Sequence, residues 1–322
     1  MNIVSWVIRS SEGYKLSKPI EMKITHVLFV DDLKGYCKPF ENLKFMLNLI
    51  CRYMLDAGLA WNPKKCKFVA FKRGKNCFYE DITLNSGATI NCLKEGENYE
   101  FMGVPQHTKM DEKTLGQDLM DIVQKRSHII WSSELSDINK CKASNTFVNS
   151  AVEYYFWTVK FTIEVVKEMD NVIRKVMNIK GAKHTNQMNA INYLPRNKGG
   201  RGLRSLEETY KMTKVKLAAK LINDNDRRLD IVRQYHKISL KSSSFSIFKD
   251  AKRYARDFDL EIELTTDGRL IMVKEENEIV EDMKKISTML KVNNELKNHT
   301  AVLRSTWQGL NLSQRIEDEN VR

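Results

Sequence analysis

A chain of 322 residues, 42% hydrophobic and 9% aromatic, can bury one large core or two modest ones, which excludes a wholly disordered polymer. Lys and Arg number 53 against 41 Asp and Glu, and the resulting formal charge of +12 favours a polyanionic partner such as nucleic acid. The six cysteines, Cys37, Cys51, Cys66, Cys77, Cys92 and Cys141, show no CxxC and no histidine at finger spacing, so a zinc site and a disulfide framework are excluded in favour of reduced thiols in a nuclear or cytoplasmic protein. No apolar run approaches the ~20 residues of a membrane span, and "MNIVSWVIRSSEGYKL" lacks the basic start and unbroken apolar core of a signal peptide.

Ile24 to Val30 is apolar or β-branched with Thr25 and His26 interrupting, and Leu33 to Cys37 resumes after two aspartates, which predicts a hairpin turning at Asp31-Asp32. Apolar residues on both sides place that hairpin in the middle of a sheet, with its tip facing a cleft. From Phe40 to Ala57, Leu43, Met46, Leu47, Ile50 and Met54 recur at helical spacing, and Gly58 is a natural C-cap. Strands are expected at Lys67–Phe71, near Ile82–Leu84 and at Thr89–Cys92, followed by a hairpin-like "NYEFMGV" from Asn98 to Val104.

Helical periodicity then takes over, with Leu115, Leu119, Ile122 and Ile129 in one segment and a longer one from about Ala143 to Met177. "LPRNKGGRGLRSLEET", from Leu194 to Thr209, is a Pro- and Gly-marked connector. Its Ser205 and Glu208 have the spacing of a capping box and open a helix to Leu221 or beyond. A helix at Phe245–Phe258, a hairpin around Asp267-Gly268 and a charged, solvated helix at Glu275–Lys297 complete the chain. These elements predict an α+β fold organised as 1–108, 109–193 and 194–322, the last with a hairpin near 260–273.

Two adjacent carboxylates repel one another unless a cation is close, and Asp oxygens are hard ligands for Mg²⁺, so Asp31 and Asp32 are candidate metal ligands. Aspartate is also an ordinary turn residue, and a solvated tip needs no metal. The connector carries Arg196, Lys198, Arg201 and Arg204. Its Gly199-Gly200 pair could bring backbone amides to phosphates, while its arginines could equally cap a helix end or pair with Glu207 and Glu208.

"HVLFVDDLKGYC" is followed in order by "GLAWNPKKC" and "YEFMGV", and the set resembles the reverse transcriptase of non-LTR retrotransposons. Phe29–Asp32 looks like the family's x-x-Asp-Asp palm motif, Gly58–Cys66 is similar to the next palm motif, and Tyr99–Val104 looks like the hairpin that grips the primer end. "YLPRNKGGRGLRSLEET" resembles a segment found after the thumb in one lineage, and "NIVSWVIRSSEGYKL" resembles the lead into the palm motif.

The resemblance implies a partial polymerase palm, a helical thumb-like region and a basic connector with a helical C-terminal region, acting on an RNA template and a DNA primer or their hybrid. It implies Asp31 as a Mg²⁺ ligand shared by two metals, with Asp32 as its neighbour. Lys65 would protonate the leaving pyrophosphate, unless it is simply a solvated lysine beside Lys64. Phe101, Met102 and Gly103 would hold the primer terminus, unless they form an ordinary hairpin with one face in the core.

Two departures matter. The family's earlier palm aspartate and its fingers have no counterpart among the roughly two dozen residues before Phe29, which implies a truncated copy or fragment that does not polymerise alone. Gly35 stands where an apolar residue would suit the second hairpin strand, which would weaken the site. The remaining alternatives are a non-catalytic nucleic-acid-binding remnant and a helical interaction protein.

Overall fold

The computed structural model describes residues 3–9, 13–15, 23–59, 61–73, 75–106, 112–240, 246–264, 270–273 and 279–305. The chain divides into two compact units, Met1–Asp111 and Glu112–Arg322, and is mixed α+β with small sheets. From Glu112 onward, the two segments divided at residue 193 in the sequence pattern share the second unit.

The first unit begins with α1 (Ile3–Ile8), β1 (Tyr14–Lys15), β2 (Lys23–Ile24), β3 (His26–Phe29) and β4 (Asp32–Gly35). Helix α2 (Phe40–Asp56) is amphipathic as its spacing predicts, and Gly58 takes the left-handed conformation after its end, at φ 66°. After a single 3₁₀ turn, Pro63–Lys65, come β5 (Lys67–Phe68), β6 (Ala70–Lys72), β7 (Lys75–Cys77), β8 (Ile82–Thr83), β9 (Thr89–Cys92), β10 (Tyr99–Phe101) and β11 (Val104–Gln106).

Two faces of α2 serve two small cores. Met46 and Ile50 pack with Val4 and Ile8 of α1 and with Leu33 and Cys37 beside β4. Cys51 turns to Phe68, Ile82, Leu84, Ile90 and Cys92, on the three-stranded sheet β5-β9-β8. His26 joins α1 to β3: its Nε2 lies 2.7 Å from Ser5 Oγ and its Nδ1 2.9 Å from Thr25 Oγ1. Burial, aided by Arg9, lowers its pKa.

The β3–β4 hairpin is a two-stranded sheet by itself, not the middle of a larger one. Its apolar residues mislead because only alternate ones are covered. Val27 and Phe29 of β3 are exposed, Phe29 at 58%, while Leu33 of β4 reaches the α1–α2 core.

The second unit opens with α3 (Glu112–Ser132), α4 (Asp137–Ala143), a π-helical turn at Ser144–Asn149, α5 (Ser150–Phe156) and α6 (Ile163–Ile179). The single helical segment expected from Ala143 to Met177 is therefore broken. Between α5 and α6, Val159 and Phe161 are buried while Thr158, Lys160 and Thr162 are exposed, an alternation of period two inside a segment otherwise of helical period. Then follow α7 (Ala190–Tyr193), α8 (Leu206–Asn223), α9 (Asp230–Leu240), α10 (Ile247–Arg256), β12 (Glu261–Leu264), β13 (Leu270–Val273), β14 (Ile279–Val280) and α11 (Met283–Ser305). Asp267-Gly268, the expected hairpin turn, lies outside the described residues. Helix α11 begins at Met283 rather than Glu275, after a third strand. Far from being wholly solvated, it buries Ile286 and Leu290 and packs on α7 and α8.

Helix α8 is the centre of this unit, packed by α5, α6, α10, α11 and β13. Its amino end is capped twice. Ser205 Oγ accepts from Glu208 N at 3.3 Å, the predicted half of the capping box, but the Glu208 carboxylate instead accepts from the amides of Asn294 and Asn298 on α11. Asp170 of α6, only 3% exposed, accepts from Ser205 Oγ at 2.7 Å and from the backbone amides of Leu206 and Glu207 at 2.9 and 3.0 Å. Burial raises its pKa, and these three hydrogen bonds oppose the rise.

Lys214 of α8 donates to the carbonyls of Phe156 and Val159, each at 2.7 Å, closing the carboxyl end of α5. Burial pushes its pKa down to about 8. The unfolded chain, with an ordinary lysine near 10.5, binds more protons above pH 8, so this residue makes stability rise with pH from about 8 towards 10. Urea unfolding at pH 7.5 and pH 10 is expected to show wild type gaining about 2–3 kcal/mol more than Lys214→Met across that interval. Equal gains would show that Lys214 is not the titrating group.

Candidate functional site

The chain reverses at Val30-Asp31, one residue earlier than the spacing predicts, and Phe29 and Asp32 are register partners that open the two strands. Val30 has φ 55°, a left-handed conformation that costs a β-branched residue about 1–3 kcal/mol. It is 78% exposed, so no packing of its side chain demands that backbone. Asp31 and Asp32 are both exposed.

The second expected element, Phe101–Gly103, is brought to the first. Met102 and Gly103, both at positive φ, form the tight turn between β10 and β11, and the Met102 amide donates to Asp32 Oδ2 at 3.1 Å. Phe101 and Met102 are half-buried, and the exposed Gly103 supplies the turn. Lys65 is not part of this pair of turns. It is exposed on the 3₁₀ turn Pro63–Lys65, which leads into β5 and follows Trp61, a residue packed on the Cys51–Phe68 core.

Sequence reasoning missed Lys34. Residues 32, 34 and 36 share one side of the extended strand. Lys34 Nζ donates to Gln106 Oε1 and lies 5.4 Å from the Tyr99 ring, 5.5 Å from Phe101 and 5.9 Å from Tyr36. The Tyr99 hydroxyl also donates to Gln106 Oε1, at 2.7 Å. Burial lowers the pKa of Lys34 and pushes that of Tyr99 up to about 12. A lone lysine between Leu33 and Gly35 carries no sequence signal for this role.

A Cβ at Gly35 would lie 2.5 Å from Met46 Cε, the far end of a flexible side chain, so the Met46 side chain occupies the space that an apolar residue at 35 would enter.

Asp31 and Asp32 present the hard oxygen donors that Mg²⁺ takes, and Mg²⁺ commonly needs only one or two carboxylates beside substrate phosphates and water. They could hold one such ion. No group of three or more His, Cys, Asp or Glu suited to a metal occurs among the described residues.

The connector in the second unit is tied to its own chain. Arg196 and Arg201 both pair with Asp137, at 2.9 and 2.6 Å, Arg204 pairs with Glu153 at 2.9 Å, and Lys198 pairs with Glu295 at 3.0 Å. Glu207 and Glu208, the acids expected nearby, take other partners.

The backbone amides expected to meet phosphate are spent as well. Those of Gly199, Gly200, Arg201, Gly202 and Leu203 donate to carbonyls between Ile191 and Arg196, and that of Arg204 donates to Asn145 Oδ1 at 2.9 Å. Asn145 and Asn149, on the π-helical turn, donate in return to the carbonyls of Gly202 and Arg204 at 2.8 and 2.7 Å. Gly200 is required by close approach: its Cβ would stand 2.1 Å from the Leu194 carbonyl oxygen.

Gly200→Ala is accordingly expected to destabilise the second unit by at least about 3 kcal/mol, whereas Arg204→Ala, which removes a part-exposed ion pair with Glu153 and a hydrogen bond to the Asn145 carbonyl, should cost about 2 kcal/mol or less. Denaturant melts followed by tryptophan fluorescence would check the contrast, and an equal cost for both would refute it.

No protein-family model matches this sequence and no curated protein matches it.

Proposed function

We propose that this chain carries the Asp-Asp and primer-gripping hairpins of a non-LTR-type reverse transcriptase palm, an incomplete RNA-directed DNA polymerase that holds a template and primer but does not extend the primer alone. The observation carrying this reading is the hydrogen bond from the Met102 amide to Asp32, which joins two turns 70 residues apart in sequence that the resemblance had singled out independently. In this reading Asp31 and Asp32 bind Mg²⁺ together with nucleotide phosphates, and the Met102-Gly103 turn supports the primer end. When bound, the ion would stabilise charge on the transferring phosphoryl group.

A two-metal clamp takes carboxylates from separate chain segments, so an Asp pair carried by a single turn supports the expectation that these residues do not extend a primer by themselves. The proposed partner is an RNA–DNA hybrid, favoured by the formal charge of +12. The connector cations are already paired with acids, so lysines and arginines elsewhere would have to make most of the phosphate contacts.

The test uses the full chain with an RNA template, an annealed DNA primer, deoxynucleotides and either Mg²⁺ or Mn²⁺. Incorporation is expected to be no greater than with Asp31→Asn, while hybrid binding should weaken linearly on a log–log plot as salt is raised, equally for both proteins. Primer extension lost in Asp31→Asn would show a complete polymerase. Absence of hybrid binding at low salt would remove the nucleic-acid role.

A further inference from the structure

Two hairpins with strands of three or four residues need contacts at more than one level to be fixed against each other, and the Met102–Asp32 hydrogen bond supplies one of them at the tips. A second contact lies two residues further along β4. Residues two apart on a strand are separated by about 6.6 Å, so Asp32 and Lys34 grip the facing hairpin at two levels.

On β10 and β11 the corresponding levels are the Met102 turn and the Tyr99–Gln106 register pair. Gln106 Oε1 accepts from both Lys34 Nζ and Tyr99 Oη, so the oxygen that receives the lysine is itself held in place. Three rings, from Tyr36 on one segment and Tyr99 and Phe101 on the other, surround the ammonium. The box therefore closes only when both segments are in register.

We infer, building on the proposed role of the Asp-Asp turn, that Lys34 is a positioning residue which locks the β3–β4 hairpin to the β10–β11 hairpin and so holds Asp32 under the Met102 amide. Methionine, uncharged and one atom shorter, would fill most of the box and keep apolar contact with the rings, but could not bond Gln106 or supply the cation. Arginine would keep the cation and a donor.

The test is amide hydrogen exchange by NMR on the full chain, with Mn²⁺-induced line broadening near Asp31 as a second readout. In Lys34→Met, exchange at Met102 is expected to accelerate at least about tenfold, exchange at Ile50 in α2 to stay unchanged, and Mn²⁺ broadening to weaken; Lys34→Arg should restore most of both. Unchanged exchange at Met102 in Lys34→Met would overturn the inference.

If Lys34→Met also exposes Ile50, Gln106→Leu decides the matter: faster exchange at Met102 supports the lock and unchanged exchange refutes it. A wild-type protein whose Met102 amide is protected but which shows no Mn²⁺ broadening would sink the metal role of Asp31. The exchange data would still judge Lys34 on their own.

Discussion

A hairpin whose strands run four residues does not hold its shape in water, and that constraint governs everything proposed for the first unit. The β3–β4 hairpin must borrow order from whatever its sides touch. One side gives Leu33 to the α1–α2 core, where Met46 fills the space above Gly35. The other gives Asp32 and Lys34 to the β10–β11 hairpin. A carboxylate pair presented on so small a scaffold is positioned by its neighbours, and the unfavourable backbone at Val30, beside Asp31, leads straight into β4, the strand that both of these contacts hold.

The second unit meets a different demand, that of a polar helix placed at the centre of a core. Along α8, Lys211 and Lys214 are buried beside Tyr210, Val215, Ala218 and Ala219. Each buried charge finds an answer: Lys211 between Glu207 and Asp257, both at 2.6 Å, and Lys214 on two carbonyls at the end of α5. Asp170 does the same for the helix's amino end. These groups specify which helices can surround α8, since an apolar substitute would pack but would leave amides and carbonyls unpaired.

Local elements were largely legible in the sequence. Helix α2, the strand Thr89–Cys92, the hairpin expected over Asn98–Val104 and the Ser205 cap all follow from periodicity or turn chemistry that acts within a few residues. Whatever depended on distant partners was hidden. The connector's arginines read as cations free for phosphate or for nearby acids, and the acids they pair with, Asp137 and Glu153, lie some fifty to sixty residues earlier, beyond any local pattern. Lys34 looks like a solvated strand residue until Tyr99 and Gln106 enclose it. The break at Val159–Phe161 was lost because five alternating residues are easily submerged in a long helical pattern.

The π-helical turn at Ser144–Asn149 has a consequence for how the connector can change. Asn145 and Asn149 use their amide groups as a strand would use its backbone, taking the Arg204 amide and giving to the carbonyls of Gly202 and Arg204. What they recognise is main chain, which every residue type except proline supplies in full. The two asparagines therefore do not read the side chains at 203 and 204, whereas one residue gained or lost between Leu194 and Ser205 would put donors opposite donors. In this segment the number of residues carries information of its own, beside the identities that close packing fixes at Gly200 and Leu203.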